Sequence, residues 1–257
     1  MSKKLLFLIP VFLFLLALPL SSAVLTDSLV SLSFDNSSSY LHNDGSFNAS
    51  FSNVGTTRTF VSGSNYAADF ESGDGDYISF GNYPIFGNYT SSRSASLWFK
   101  AESLTSGDYL FRQKDTEGRW SINYDGTDIV CDVYDGVIYK KAVKTAPSTG
   151  VWTHVVCVYN GSSVKLFMDD DDSPSTTAVT SSPYSSDKIF SIGSIEGGVS
   201  NYFDGLMDQY MVYDRALSSS EVTTLYNSGV IYNTYNPPAK PPINDSTEST
   251  GLTKQSG

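Results

Sequence analysis

The sequence predicts an all-β protein, a single antiparallel sandwich of about 200 residues closed by one short helix. Three observations carry this. Aromatic residues make up 14% of the 257-residue chain, with 17 Tyr and 15 Phe, and Ser, Thr, Asn, Asp and Gly fill the gaps between apolar stretches. Aromatic and β-branched residues suit a pleated surface, whereas a helical protein would need more Ala, Leu, Glu and Lys. Residues 94–101 alternate, with Ala95, Leu97, Phe99 and Ala101 on one face and Ser94, Ser96 and Lys100 on the other. That is the period-two pattern of a half-buried strand, with Trp98 the one large apolar residue on its polar face. Finally, Asp125-Gly126 and Asp135-Gly136 each separate apolar stretches, a strong hairpin signal.

The elements follow in order. Leu29 to Phe34 is a first strand, and the polar residues 36–66 suit a long loop with one or two edge strands. Ala67 to Glu71 and Tyr77 to Phe80 flank the turn Ser72-Gly73-Asp74-Gly75-Asp76, whose glycines and aspartates supply tight-turn backbone angles. After the 94–101 strand, Asp108 to Gln113, Trp120 to Tyr124, Asp128 to Tyr134 and Val137 to Ala142 form a meander. Trp152 to Tyr159 is apolar on both faces, which predicts a central strand covered on both sides. Asn160-Gly161 turns into Val164 to Met168, and Asp169 to Asp172 reads as the solvated tip of the next hairpin. Lys188 to Ile192 and Tyr202 to Tyr213 supply the last strands. One helix closes the chain: Ser218 is its N-cap, Glu221 completes a capping box, Leu217 and Val222 form the hydrophobic staple, and Gly229 ends it.

Both ends differ from the middle. Residues 1–23 have the features of a signal peptide: Lys3 and Lys4, an apolar run from Leu5 to Leu20, and Ser21-Ser22-Ala23 as a cleavage site. The run falls short of the roughly 20 apolar residues a membrane span needs and holds Pro10 and Pro19, so a membrane is expected to be involved only if this segment is kept as an anchor. No Cys follows it to take a lipid. The globular domain is expected over residues 24–230. Residues 231–257 have linker composition, with Pro237, Pro238, Pro241 and Pro242 among polar residues. The expected location is outside the cell or on its surface.

Composition excludes some functions. A net charge of −11 argues against nucleic acid, which needs clustered Lys and Arg, and leaves solubility, bound cations or a salty medium open. Two cysteines, Cys131 and Cys157, and two histidines, His42 and His154, cannot make a zinc site of usual spacing. The cysteines sit in strand-like segments expected to be neighbours, so a disulfide and a pair of buried thiols both remain open.

Six segments, in order, carry a resemblance. Ala68-Asp69-Phe70-Glu71 with Asp74-Gly75-Asp76-Tyr77-Ile78 comes first, then Ala95-Leu97-Trp98-Phe99. Trp152-Thr153-His154-Val155 with Val158-Tyr159-Asn160-Gly161 follows, then Ile192-Gly193. Phe203-Asp204-Gly205-Leu206-Met207-Asp208 and Tyr213-Asp214-Arg215-Ala216-Leu217-Ser218 with Glu221 complete the set. Over residues 28 to 229 the chain resembles the laminin-G-like jelly-roll domains of the concanavalin A-like kind. The resemblance implies two curved antiparallel sheets, an extracellular binding role toward a glycan or an extracellular protein, and a structural calcium ion. The chain departs from the relatives at Asn43-Asp44-Gly45-Ser46-Phe47-Asn48, where their early loop usually differs, and at Gln209, where they usually carry an acid.

The candidate sites follow. Asp35, Asp44 and Asp208 are the candidate calcium ligands, because calcium takes six to eight oxygens, mostly from carboxylates and carbonyls. Asp208 stands out, being set in the apolar strand Leu206 to Val212. Asp74 and Asp76 are read as turn formers. Trp120, Tyr124, Tyr134 and Tyr139 lie on the meander and could line a sheet face for sugar stacking, against the alternative that they are ordinary core or surface aromatics. Asn36, Asn48, Asn88, Asn160 and Asn244 each begin an Asn-x-Ser/Thr acceptor for N-glycans. The paired carboxylates of glycoside hydrolases, which sandwich relatives carry as an E-x-D-x-(x)-E strand, have no counterpart in the sequence, so no enzyme activity is expected. The expected function is a non-catalytic carbohydrate-binding or adhesive module. The alternative is a structural or protein-interaction module of a cell-surface or appendage protein.

Overall fold

The computed structural model describes residues 25–36, 41–47, 51–62, 65–82, 92–114, 119–181, 189–195 and 198–229. The signal-like segment and the proline-rich tail lie outside these residues. The early strands are β1 (Val30–Leu32), β2 (Ser52–Val54), β3 (Thr57–Ser62), β4 (Asn65–Phe70) and β5 (Tyr77–Asn82). β6 (Arg93–Ser103), β7 (Tyr109–Lys114), β8 (Arg119–Tyr124), β9 (Asp128–Tyr134) and β10 (Tyr139–Thr145) follow. β11 (Thr153–Tyr159), β12 (Ser163–Met168), β13 (Ser175–Ala178), β14 (Ile189–Ile192), β15 (Asp204–Tyr213) and helix α1 (Ser219–Ser228) complete the chain.

These strands form two antiparallel sheets. The first runs β13-β12-β11-β6-β15-β4-β3, with β1 also paired to β15, and the second runs β10-β9-β8-β7-β14-β5-β2. β7 to β10 are sequential neighbours, which is the meander expected from the Asp-Gly turns. The turn at 72–76 does something else: it carries the chain from β4 in one sheet to β5 in the other. Asp76 holds that corner, its Oδ2 accepting the Glu71 N–H at 3.1 Å.

Alternation fills the space between the sheets. Leu97, Phe99, Val155, Cys157 and Leu166 from one sheet meet Phe111, Trp120, Ile122, Cys131 and Val133 from the other in one continuous core. A disulfide joins Cys131 on β9 to Cys157 on β11, so the two sheets are stapled covalently through this core.

The outer face of the first sheet is also covered, which explains why β11 is buried at every position. Helix α1 lies there, its Val222 and Leu225 packing with Val156, Val158, Phe167, Tyr213 and Leu217. Its capping box is formed, with the Ser218 hydroxyl accepting the Glu221 N–H and the Glu221 carboxylate accepting the Ser218 N–H. The apolar exception on the polar face of β6 finds its reason under the helix: Trp98 stacks on Tyr226 with ring centres 5.5 Å apart. The small polar residues of that face are buried as well. The Ser94 hydroxyl donates to the Arg215 carbonyl and accepts the Leu217 N–H, and the Ser96 hydroxyl sits 2.8 Å from His154 Nε2. Burial holds the His154 imidazole neutral, its pKa pushed down to about 3.

The two outermost strands on one side of the sandwich are linked by side chains. On β10 the Val143 N–H donates to the Ser175 hydroxyl at 3.0 Å, and the Thr177 hydroxyl donates to the Lys141 carbonyl at 2.6 Å. Lys144 pairs with Asp171 across the same seam.

Candidate binding site

The four aromatic candidates divide by strand parity. On β8, Trp120, Ile122 and Tyr124 share one face, and that face is the core. Trp120 is fully buried against Phe111, with its ring N–H directed at Cys157 Sγ, and Tyr124 packs half-buried on the same core. Neither lines an outer surface, which corrects the sequence-based expectation. Ile122, midway between them, carried the signal: an apolar residue two positions from each marks a shared inward face.

Tyr134 and Tyr139 do face outward. They are direct cross-strand partners on β9 and β10, with ring centres 5.0 Å apart and planes 49° apart. Tyr139 is 39% exposed and Val143, two pairs further along the same face, is 41% exposed. Val137 and Ile138, in the turn joining the strands, are 71% and 54% exposed. The patch is therefore aromatic and aliphatic, and Lys141 stands on the same face between Tyr139 and Val143. Below the turn, Asp135 is almost fully buried. Its Oδ1 accepts the N–H groups of Val137 and Ile138, and Oδ2 lies 3.5 Å from Lys140 Nζ. The backbone N–H groups, with Lys140 behind them, hold the Asp135 carboxyl below the usual carboxylate range.

A polar row runs from this patch across the second sheet. Lys141, Asp132, Ser121, Arg112, Ser191, Ser79 and Ser52 are successive cross-strand partners on seven strands. Asp132 accepts from the Ser121 hydroxyl at 2.6 Å and from the Asn123 amide at 3.4 Å, and the Arg112 guanidinium lies 4.8 Å from the Tyr109 ring centre. Asp132, Ser121 and Ser191 are fully buried, so the accessible part of the row is at its ends, where Lys141 and Ser52 are exposed. The sequence signal for this row lies in the polar alternate positions Ser121, Asn123 and Asp132 of β8 and β9.

The three candidate calcium ligands do not come together. Asp208 is fully buried on the outer face of the first sheet, opposite Trp98, and burial, reinforced by the nearby Asp35, pushes its carboxyl well above the usual range. Its Oδ1 accepts the Gln209 N–H at 2.6 Å. It occupies a bulge where β15 exchanges one partner for another: Gly205–Met207 pair with β4 and Tyr210–Val212 with β1. Asp35 joins this junction from the end of β1, its carboxylate accepting the Tyr66 N–H at 2.7 Å while its carbonyl accepts from Arg58. Asp44 pairs with His42 at 3.3 Å on the surface instead. Among the described residues no group of three or more His, Cys, Asp or Glu is placed to hold a metal. The expected donor set therefore does not fit calcium, which would need at least six oxygens converging at one point.

Two acceptor asparagines are described, and both are exposed: Asn36, and Asn160, whose side-chain oxygen accepts the N–H groups of Ser162 and Ser163 in a turn. Asn48, Asn88 and Asn244 lie outside the described residues.

The family follows from comparison with known proteins. Residues 71–223 match the family model described as the concanavalin A-like lectin/glucanases superfamily. The chain belongs to this superfamily. No curated protein matches the sequence. Solved structures share the superfamily fold at low identity. The binding domain of Paraclostridial Mosquitocidal Protein 1 is 18% identical with a TM-score of 0.64, over 79% of this chain and 52% of that one. The receptor binding domain of botulinum neurotoxin D is 16% identical with a TM-score of 0.65, over 80% and 53%. The chain thus spans about half the length of these toxin domains. Domain 4 of AbnA, an extracellular arabinanase of Geobacillus stearothermophilus solved with arabinotriose, is 22% identical with a TM-score of 0.56, over 78% of this chain and 98% of that domain.

Proposed function

We propose that this superfamily member is an exported, non-catalytic module that binds a glycan at the outer face of β9 and β10. The observation that carries this is the Tyr134–Tyr139 pair, which offers an accessible ring face beside the exposed Lys141. Sugar recognition uses this combination: an aromatic face for the C–H side of the ring, and donors and acceptors for its hydroxyls. The similarity to an arabinanase domain solved with arabinotriose, whose length the chain almost fully matches, supports a sugar ligand. The signal-like segment supports export, as does the disulfide, which forms and persists in oxidising compartments.

The test is a glycan array probed with the full chain and with Tyr139→Ala. Wild type binds a defined subset of glycans. Truncating a stacked aromatic removes about 1.5–3 kcal/mol of burial, so the variant binds at least about tenfold more weakly. Absence of binding to every glycan would turn the assignment toward a protein-interaction or structural module.

A further inference from the structure

The turn between β9 and β10 places its most water-averse side chains where turns normally place polar ones. Val137 and Ile138 are the tip of the hairpin, and both are mostly exposed. The turn is nevertheless rigidly held. Asp135 takes the N–H groups of both tip residues through one carboxylate oxygen, the Asp135 N–H donates to the Ile138 carbonyl at 3.1 Å, and Gly136 supplies the left-handed backbone with φ of 90°. Val137, Ile138 and Tyr139 are consecutive and exposed, a contiguous apolar patch of the kind that marks interaction surfaces.

The residue types behind the tip are graded. Val137 and Ile138 come first, then the paired tyrosines 134 and 139, then Lys141 on the same face. Aliphatic, tyrosine, lysine is the order in which side chains partition from the acyl region through the headgroups to water. Part of the tip's backbone is also bound within the turn. The N–H groups of Val137 and Ile138 and the Ile138 carbonyl already have partners within the turn, so they need no water. The buried Asp135 carboxylate is faced by Lys140.

From this grading and the two tip amides bound within the turn, we infer that the β9–β10 tip inserts Val137 and Ile138 into the interface of a phospholipid bilayer. The chain's net charge of −11 makes the surface a zwitterionic one, because an anionic bilayer would repel it. Two aliphatic side chains give weak, reversible attachment.

The test places a reporter at the tip. Val137→Trp in the full chain is mixed with phosphatidylcholine vesicles, some carrying bromines on the acyl chains. Val199→Trp is the control, since Val199 is also exposed but lies in a different loop. Emission of the tip tryptophan should shift to the blue and be quenched several-fold more than that of the control. Adding Ile138→Asp to the Val137→Trp chain should abolish both effects. Equal quenching at positions 137 and 199 would overturn the inference, since adsorption by some other segment produces that result. So would insertion seen only on phosphatidylserine-containing vesicles and lost in salt. A wild type that dimerises in gel filtration, with the Val137→Asp/Ile138→Asp variant monomeric and no quenching anywhere, would assign the tip to a second copy of the chain.

Discussion

The indole N–H of Trp120 points at Sγ of Cys157, 3.1 Å away, in the middle of the core. The largest side chain of the second sheet is thus seated on the only covalent link between the sheets among the described residues. Cys131 and Cys157 are 26 residues apart. Closing a loop of that length stabilises by about 3 kcal/mol in the chain-entropy account. Melting curves with and without reductant, or of Cys131→Ala/Cys157→Ala, are expected to differ by roughly 10 °C for a domain of this size. Coincident curves would mean that the core holds the sheets together without the staple.

Helix α1 is set against Trp98 with no room to spare. A Cβ built on Gly229 would lie 2.4 Å from the Trp98 ring nitrogen. Gly229→Ala is therefore expected to lift the end of the helix off the indole and to cost about 1–3 kcal/mol, as overpacking does. Thermal melting gives the cost, and a red shift of tryptophan emission in the native state would place the change at Trp98. A variant as stable as wild type would mean that the helix end yields at little cost.

Asp108 makes stability depend on pH. Burial raises its carboxyl from 3.8 to about 6, against the lowering effect of the Thr105 N–H that it accepts at 2.6 Å. A raised folded-state pKa favours the folded protein below the unfolded value and loses that contribution as pH rises through the folded value. Asp108→Asn keeps the acceptor and removes the charge, so it should stabilise the protein at pH 7 and leave it unchanged below about pH 4. Denaturant titrations at the two pH values check this, and an equal effect at both would remove Asp108 as the cause.

Arg215 acts in the opposite direction. Its guanidinium bridges Asp27 at 2.6 Å and Glu221 at 2.7 Å, joining the start of the domain to the closing helix. The Arg215 hydrogen bond lowers the Asp27 carboxyl, and the Ser218 backbone N–H, with Arg215 behind it, lowers that of Glu221. Depressed carboxyl values add stability above the unfolded value that is lost as pH falls through the folded one. Arg215→Ala should flatten the acid limb of the stability profile. The triad is solvent-accessible, so the effect at neutral pH is below about 1 kcal/mol.

Calcium and chelator are expected to leave the melting temperature unchanged, since Asp44 does not join Asp35 and Asp208. A rise on adding calcium that Asp208→Asn abolishes would show that other oxygens complete a site at the β1–β4–β15 junction.

The sequence shows how far alternation reaches. Strand parity and Asp-Gly turns gave the meander, and the Ser218–Glu221 spacing gave the helix cap, because these are local rules. Residue type alone groups Trp120 with Tyr139, although parity places them on opposite faces. The partner of Asp208 was a non-local matter: the exchange of β4 for β1 at the bulge brings Asp35 to it, and no spacing in the chain encodes that exchange. The closed top of the first sheet was half visible, since Trp98 on a polar face announced a covering that the pattern of β6 alone could not name.

The two hydroxyls that span β10 and β13 have a consequence beyond this molecule. An outermost strand ordinarily offers a ladder of unmet amides and carbonyls on which a foreign chain can build. Ser175 and Thr177 occupy that ladder at Val143 and Lys141, within the strand that also carries the oily hairpin. Many copies crowded on one surface can therefore stand side by side without being recruited into a growing fibre along that edge.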